Sequence, residues 1–390
     1  MSATKAEQIG LINHALPAEE LDAAVDAFCE KMLNGATKAI RWTKFLVNLE
    51  LKRIVHSVLD TGLAYEGLSA HSGDHREGVQ ALQERRQPEF GKHRDQEKDQ
   101  QDRIMLTEDI RIDVAGVELA AKQWGDPDKP AIIALHGWLD NAASYDMLAP
   151  ALTDYRVIGL DFAGHGFSGA RPAGCRYHML DNVDDVIGLA DALDLEQFIL
   201  MGHSMGAGIA TYTAASYPER VARLILIEGI GTVANTPAEA PRILRSAVED
   251  MKKAHAKRKP VYETREEAIE ARSQAIGGIS VEAARILCQR GLEPVESGVT
   301  WRSDPRLKMN SALRLTEEMI AGFLQALTMP TLLIRGEDSF VAGSPTLQER
   351  AGKMPDCQVV SLPGNHHLHL EADSYQAVVA AIQEFLTGDS

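Results

Sequence analysis

The sequence lacks any run approaching about 18 consecutive apolar residues, so it offers no candidate membrane span. Its opening residues, MSATKAEQIGLINHALP, have no basic start followed by an apolar core, so we do not expect them to be a secretory signal peptide. Cysteines are few: four in 390 residues, with no C-x-x-C pair, which argues against a disulfide framework and a zinc knuckle. These absences predict a cytoplasmic protein with reduced thiols and no membrane partner.

The chain also has fewer basic than acidic residues. The chain has 40 Lys and Arg against 56 Asp and Glu, a formal net charge of -16. Nucleic-acid binding relies on a basic surface that neutralises phosphates, so we expect a small-molecule substrate and no nucleic-acid partner. A hydrophobic share of 45% and a charged share of 25% are ordinary for a globular protein. A chain of 390 residues is long enough for two or three domains with separate cores.

Residues 1–90 have the pattern of helices and no alternating strand pattern. A helix is predicted to begin at Pro17 and to end at Asn34–Gly35. Its apolar residues recur on one face, at Leu21, Val25, Phe28 and Met32. A second helix is predicted over residues 45–58 and a third over 74–87. This all-helical region needs a partner for its apolar faces.

The stretch over residues 91–104 marks a domain boundary. It contains the run GKHRDQEKDQQDR, which has no large apolar residue and many charges of both signs. Such composition is typical of a solvated linker, and a helical extension is the alternative.

Residues 105–390 follow a different pattern, in which short apolar runs alternate with helical segments. Six nearly continuous apolar runs predict parallel strands with helices on both faces: IIALHG, RVIGLD, FILMGHS, RLILIEG, TLLIRG and CQVVSLPG. Two earlier runs, IRIDVAG and VELAAKQWG, alternate and predict an antiparallel hairpin at the sheet edge. Residues 232–329 are helical and strand-poor, so they are predicted to be an insertion between two strands. The fold class is therefore α/β, with a mostly parallel eight-stranded sheet.

A serine lies at the predicted turn between a strand and the following helix. The stretch Gly202–Gly206 reads GHSMG, which fits G-x-S-x-G with Ser204 at its centre. A sharp turn of this kind is cramped, and only small residues two before and two after the serine avoid clashes. The helix N-terminus also favours developing negative charge. The pattern predicts Ser204 as a nucleophile; the alternative is a chance match in which Ser204 only caps the helix.

A serine hydroxyl needs a base, and the loop after the last strand offers one. In LPGNHHLHLEAD, His366 directly follows the turn residues Gly364 and Asn365 and could lie over the serine. The neighbouring His367 and His369 open a metal-site alternative. No carboxylate or cysteine cluster completes such a site elsewhere, so we predict no metal and no cofactor. His369 is expected to pack or to form structural hydrogen bonds.

The base in turn needs a carboxylate that fixes its tautomer and stabilises the imidazolium. Glu337 and Asp338 follow the strand TLLIRG, and Glu228 ends the earlier strand LILI. The chain order Ser, acid, His holds with each of the three. Asp338 is our first choice, and Glu228 is the alternative acid.

The segment LHGWLDN supplies candidate oxyanion donors. It follows the first parallel strand, and the backbone N–H of Trp138 could point at the nascent oxyanion together with the N–H of Met205. Removing one such donor costs roughly 100-fold or more in a related protease. Trp138 and Met205 are therefore the predicted oxyanion hole.

On these motifs, the chain from about Ile110 to its C-terminus resembles the α/β-hydrolase superfamily, and within it the serine hydrolase-like proteins. The resemblance rests on LHGWLDNAASY, DFAGHGFSG, GHSMGAG, LCQRGLEPVESGVTWRSDPRL and PGNHHLHLE. It implies a Ser/acid/His hydrolase with a helical cap inserted after the sixth strand, at about residues 232–329. Ser204 and His366 fall on the motif positions.

The acid departs from the family pattern. Relatives often carry G-x-x-D, but here the third residue after Gly336 is Ser339, and Asp338 is displaced by one position. The displacement keeps Glu228 in consideration.

The first 90 residues resemble a different family, the C-terminal tail of crotonase-family enoyl-CoA hydratases. The matching stretches are IGLINHALPAEELDAAV, GATKAIRWTK and AYEGLSAHSGDHREGVQALQERRQPEF. In that family the catalytic core precedes the tail, and this chain does not contain it, so hydratase activity is not expected. The tail helices commonly form trimer contacts there, which implies a homo-oligomer, with a trimer as the expected assembly; docking within one chain is the alternative.

Three functions follow from these residues. The first is a carboxylesterase, in which an acyl-enzyme forms on Ser204 and a cap limits the acyl group to small or medium size. The second is an acyl-CoA thioesterase, which the crotonase-like tail and the basic run KKAHAKRK (252–259) would suit. The third is a non-catalytic binding or scaffold protein, since a fold and a motif do not by themselves prove turnover.

Overall fold

The computed structural model of the chain describes residues 2–36, 42–44, 48, 73–88, 108–253, 258–275 and 277–388. The chain divides into two compact units, Met1–Gln100 and Gln101–Ser390. The predicted linker at 91–104 and all of the second predicted helix except Asn48 lie outside the described residues.

The described part of the N-terminal unit is helical. Its helices are α1 (Ala3–Gln8), α2 (Ala18–Leu33) and α3 (Gly73–Glu84). Pro17 directly precedes α2, and Glu19 and Glu20 complement the positive end of the helix dipole. The apolar side chains predicted on one face of α2 are exposed, and Phe28 is 59% exposed.

An eight-stranded sheet forms the centre of the second unit. Its strands in chain order are β1 (Glu108–Val114), β2 (Val117–Trp124), β3 (Ala131–Leu135), β4 (Arg156–Asp161), β5 (Phe198–His203), β6 (Val221–Ile227), β10 (Thr331–Gly336) and β11 (Cys357–Leu362). Across the sheet the order is β1-β2-β4-β3-β5-β6-β10-β11. The β1–β2 hairpin is antiparallel at one edge, β2 pairs antiparallel with β4, and the remaining pairs are parallel. The predicted edge hairpin and the six parallel strands are thus confirmed.

Helices cover both faces of this sheet, which explains why its strands are nearly continuous apolar runs. On one face, the buried core includes side chains from α4 (Asn182–Ala192), α5 (Met205–Ser216) and α10 (Pro345–Ala351). On the other face, α11 (Tyr375–Thr387) and the turn Ala142–Tyr145 contribute to a second core. Neighbouring strand residues alternate between the two: Ile133 joins the first core and Ile132 the second.

The insertion lies between β6 and β10. Its elements are α6 (Ala240–Lys252), β7 (Val261–Tyr262), α7 (Arg265–Ser273), α8 (Val281–Gly291), β8 (Leu292–Val295), β9 (Gly298–Trp301) and α9 (Glu317–Gln325). The sequence predicted a strand-poor region, but β7, β9 and β8 form a small antiparallel sheet. Periodicity did not reveal it because these strands are only two to four residues long. Gly298, at φ 136°, begins β9 directly after the two-residue turn that follows β8.

A buried arginine fastens the insertion to the sheet. Arg290, near the end of α8, donates from Nε to Asp161 Oδ2 at 2.7 Å and from Nη1 to Asp109 Oδ1 at 2.5 Å. Its guanidinium carbon lies 4.3 Å from the ring centroid of Phe167. Asp161, at the end of β4, also accepts the backbone N–H groups of Ala142 and Phe167. This carboxylate therefore loses its charged partner if Arg290 is removed.

Within the described residues, no helix is both long enough and apolar enough to cross a bilayer.

We expect Arg290→Met to lower the free energy of unfolding by about 3 kcal/mol or more, because the buried carboxylate of Asp161 then has no counter-charge. Thermal and urea unfolding, followed by circular dichroism, measure the change. Arg285→Met is the matched control, because Arg285 is exposed and its ion pair, with Glu266 at 3.6 Å, is also exposed. A loss no larger than that of the control would contradict this role of Arg290.

Candidate active site

Ser204 occupies the tight turn between β5 and α5. Its backbone has φ 51° and ψ -110°, a left-handed conformation that costs a non-glycine residue roughly 1–3 kcal/mol. A Cβ atom at Gly202 would overlap the carbonyl group of Gly206, and one at Gly206 would overlap the carbonyl group of Leu135. The glycines two residues before and two after Ser204 thus allow the close strand–turn–helix packing that the motif predicts.

His366 lies in the loop between β11 and α11 and faces this turn. Its Nε2 is 2.9 Å from Ser204 Oγ. Its backbone carbonyl accepts the Nε2–H of His203 at 2.8 Å, so the loop is bonded to the residue before the nucleophile. The structure therefore brings the predicted nucleophile and the predicted base together.

The carboxylate that contacts His366 is Glu228, the first residue after β6. Its Oε2 is 2.9 Å from His366 Nδ1. The carboxylate is buried and also accepts the backbone N–H of Gly336 and the hydroxyl of Ser339. Because a carboxylate only accepts hydrogen bonds, His366 carries its proton on Nδ1, and Nε2 is free to accept from Ser204.

Asp338, the first-choice acid from the sequence, does not make this contact, and the expectation is corrected in favour of Glu228. Both Asp338 and its neighbour Glu337 are exposed. The loop after β10 is held through backbone bonds, including Asp338 N–H to Gly364 O at 3.0 Å, and it turns Ser339 inward instead. Ser339 is the third residue after Gly336, the position at which the family pattern expected from the sequence has its acid, and its hydroxyl binds Glu228. A serine at that position was the signal in the sequence that the acid lies elsewhere.

Of the two predicted oxyanion donors, Met205 begins α5 and Trp138 lies in the segment after β3. Met205 is the first residue of α5, so its N–H has no partner four residues earlier in the helix. Among the backbone hydrogen bonds of the described residues, neither Met205 N–H nor Trp138 N–H is used. The indole Nε1–H of Trp138 donates to Leu307 O in the insertion at 3.0 Å. The oxyanion role of both N–H groups stays a prediction.

Several histidines of the second unit are buried and held neutral. Burial lowers the pKa of His136 to about 4 and those of His165 and His369 to about 3. Burial also lowers the pKa of His203 well below its usual value, and the neighbouring histidines lower it further. His369 Nε2 lies 3.0 Å from Ser144 Oγ, which agrees with the structural role expected from the sequence.

Asp140 is the charged group of this cluster, and the sequence did not single it out. Arg272 of α7 donates to its Oδ1 at 2.6 Å, and His367 Nε2 lies 3.2 Å from its Oδ2. Burial alone would raise the pKa of Asp140. The hydrogen bond from His367 and the nearby guanidinium of Arg272 outweigh burial and hold the pKa of Asp140 well below its usual value. Asp140 is therefore ionised and paired.

Asp140, His203 and His367 are also the residues that could hold a metal ion, since their donor atoms lie within 4.8 Å of one another. Both oxygens of Asp140 are already engaged, one by the guanidinium of Arg272 and one by His367. A further cation would stand beside that guanidinium in a buried region, which is electrostatically unfavourable. The contacts fit a hydrogen-bonded carboxylate–histidine network better than a metal site.

Comparisons with known proteins agree with this fold. A family model described as the alpha/beta hydrolase fold matches residues 130–272. A serine hydrolase-like protein of Dictyostelium discoideum is 32% identical over 283 residues, which cover 68% of this chain and 79% of that protein.

Two solved structures are similar in both sequence and fold. A hypothetical protein from Pseudomonas aeruginosa PAO1 is 42% identical with a TM-score of 0.70, covering 72% of this chain and 100% of that one. A thioesterase domain from the curacin biosynthetic pathway is 27% identical with a TM-score of 0.65, covering 71% of this chain and 99% of that one.

Proposed function

Because the chain belongs to the α/β-hydrolase family, we propose that it is a serine carboxylic-ester hydrolase that works through Ser204, His366 and Glu228. The observation that carries the proposal is the unbroken series of contacts from the Ser204 hydroxyl through both nitrogens of His366 to a buried carboxylate. The same constellation of nucleophile, base and orienting acid recurs in serine hydrolases of unrelated folds.

In the proposed reaction, His366 Nε2 takes the proton of Ser204 Oγ as this oxygen attacks the acyl carbonyl. Glu228 accepts the Nδ1–H of the resulting imidazolium and stabilises its charge. The tetrahedral oxyanion is stabilised by the backbone N–H groups of Trp138 and Met205. His366 then protonates the departing alcohol, which leaves an acyl-enzyme. Water, deprotonated by His366, then attacks that ester, and His366 returns the proton to Ser204 Oγ as the carboxylic acid leaves.

Aromatic side chains near the site favour apolar acyl or alcohol groups. The ring centroid of Phe340 lies 4.4 Å from that of His366, although the side chain is 68% exposed. Trp138 is also substantially exposed while its indole is tied to the insertion. Exposed aromatic surface beside a nucleophile is suited to contact with apolar substrate groups. We therefore expect esters with small or medium apolar acyl groups as substrates.

Neutral variants of the two candidate acids, made separately, test the assignment of Glu228. Glu228→Gln should lower kcat for p-nitrophenyl butyrate roughly 10,000- to 30,000-fold, as loss of the orienting acid does in serine proteases. Asp338→Asn, a matched change on the exposed loop, should leave kcat within about threefold, as ordinary surface substitutions do. A larger loss at Asp338 would reverse the assignment.

Thioester hydrolysis is the second candidate, and the similarity to a thioesterase domain favours it. It would use the same acyl-enzyme with a thiol as leaving group. The basic run at 252–259 gives it less support than the sequence implied. Lys252 is bonded to Glu249 at 2.8 Å and Lys259 to Glu293 at 3.1 Å, and residues 254–257 lie outside the described residues.

Matched substrates separate the two activities. We expect kcat/KM for p-nitrophenyl butyrate to exceed that for butyryl-CoA, with both rates measured on the full chain. Ser204→Ala should reduce turnover on the order of a millionfold, as in a related serine enzyme. A strong preference for the thioester would make thioesterase the function. If the wild-type protein shows no turnover that depends on Ser204, the non-catalytic hypothesis is favoured.

We also propose that the N-terminal unit drives self-association, with a trimer as the expected assembly. The support is the exposed apolar face of α2, whose members are Leu21, Val25, Phe28 and Met32. An apolar helix face left in water is unfavourable and is normally covered by another element or subunit. The crotonase-tail resemblance of residues 1–90 and the cytoplasmic location are likewise proposals from the sequence.

Lysine substitutions on the apolar face of α2 test the association. Val25→Lys with Phe28→Lys should convert the assembly to monomers, measured by size-exclusion chromatography with light scattering, because two charges would be buried in the contact. Ala23→Lys with Ala27→Lys adds the same charge on the opposite, exposed face and should leave the mass unchanged. A monomeric wild-type protein would contradict the proposal.

A further inference from the structure

Two buried side chains and one partly buried arginine form a continuous chain of contacts from the insertion to the loop that carries His366. Arg272 lies on α7 of the insertion, Asp140 follows β3, and His367 lies in the loop after β11. The two contacts, at 2.6 Å and 3.2 Å, use separate oxygens of the same carboxylate. The exposed fractions of these side chains are only 12%, 1% and 6%. We call this set the Arg272–Asp140–His367 chain.

His367 and His366 are consecutive, so holding one ring restricts the peptide that carries the other. Their ring planes are 87° apart, which directs the two imidazoles to different partners. The backbone around them is also tied: His367 N–H donates to Asn365 Oδ1 at 2.8 Å, and Leu370 N–H donates to His367 O at 2.7 Å. The position of His366 therefore depends on contacts made by His367.

A second contact from the insertion reaches the same loop. The backbone N–H of Ser280, the residue that caps α8, donates to Glu371 Oε1 at 2.9 Å. The same oxygen accepts from Asn365 Nδ2 at 3.4 Å. The insertion thus bonds directly to the His366 loop at Glu371, and Glu371 in turn bonds to Asn365 just before the histidine pair. A displacement of about 1 Å at a reacting group can cost roughly 100-fold in rate, so these contacts bear on catalysis as well as on folding.

We propose that Arg272 and Asp140 are positioning residues for the ester hydrolysis proposed above: Arg272 orients Asp140, and Asp140 holds His367 and with it the peptide that carries His366. The proposal rests on that function. Under this proposal the insertion helps to position the catalytic base in addition to covering the site. A buried ion pair contributes little net stability, so removing both partners should be felt chiefly in the position of His366.

Single and double variants of the full chain test the proposal. Arg272→Gln, Asp140→Asn and the double variant are compared for kcat and KM with p-nitrophenyl butyrate. We expect each single change to lower kcat roughly 30- to 100-fold with KM within about threefold, because positioning acts on the reacting atoms. The double variant should lose no more than the worse single variant, since both residues act through one chain.

Controls separate positioning from loss of the fold. Arg285→Gln changes an exposed arginine of the insertion and should keep wild-type kcat. Arg272→Lys retains a cation and should recover part of the kcat lost in Arg272→Gln. Circular dichroism and the thermal midpoint report folding. Arg272→Gln removes the guanidinium partner of Asp140 and could unfold the protein. In that case two other variants replace it in the test: the neutral double variant, and His367→Phe, which keeps the Arg272–Asp140 pair.

Three outcomes would overturn the proposal. One is wild-type kcat in the folded double variant or in folded His367→Phe. Another is a loss confined to KM, which would assign Arg272 to substrate binding. A third is loss of wild-type activity on dialysis against EDTA with recovery on adding Zn²⁺, which would make the cluster a metal site.

Failure of the proposed function has a different signature. If wild-type protein does not hydrolyse the ester, that function fails. The positioning role is then measured by the rate at which a fluorophosphonate modifies Ser204, which depends on His366 but needs no natural substrate. An unchanged labelling rate in the double variant would overturn the positioning role on its own.

Discussion

The buried carboxylate of Glu228 is the interaction on which the rest of the site depends. An ionised carboxylate without partners is costly in an apolar interior, and here three donors from different parts of the chain converge on it. Two come from the end of β10 and the loop after it, and one is His366. The same bonds that make burial of the charge tolerable also set the orientation of the imidazole toward Ser204. Removing the carboxylate would therefore disturb the loop and the base together.

Parallel topology explains how distant residues reach this carboxylate. Ser204 follows β5, Glu228 follows β6 and His366 follows β11, so all three emerge at the carboxyl edge of one sheet. Two of them, Ser204 and Glu228, have positive φ angles of 51° and 59°, so the chain turns sharply at both positions. Strained backbone at adjacent strand ends is a feature of functional sites, because the surrounding packing must hold it.

The insertion is fastened to this edge by two arginine–aspartate contacts, in both of which the aspartate is buried. Arg290 reaches Asp161 at the end of β4, and Arg272 reaches Asp140 after β3. The Arg290–Asp161 contact holds α8 against the sheet. The Arg272–Asp140 contact leads through His367 to the loop that carries His366. Contacts of this kind allow an inserted segment to influence the geometry of the reacting groups without touching the substrate.

Sequence patterns predicted those parts of the fold and site that depend on local spacing. The eight strands of the main sheet have clear apolar patterns, and Ser204 and His366 lie in short motifs whose spacing has a steric reason. The choice between Asp338 and Glu228 depended on which side chain a loop turns inward, and that follows from long-range packing around Ser339. The small sheet of the insertion was missed because strands of two to four residues leave little periodicity. Asp140 and Arg272 were missed because they are 132 positions apart in the chain.

Labelling of the folded protein with a fluorophosphonate, followed by peptide mass spectrometry, tests the central claim most directly. The account predicts one adduct, on Ser204, that forms far more slowly in the Glu228→Gln variant. An adduct on another residue, or no adduct on the folded wild-type protein, would contradict it.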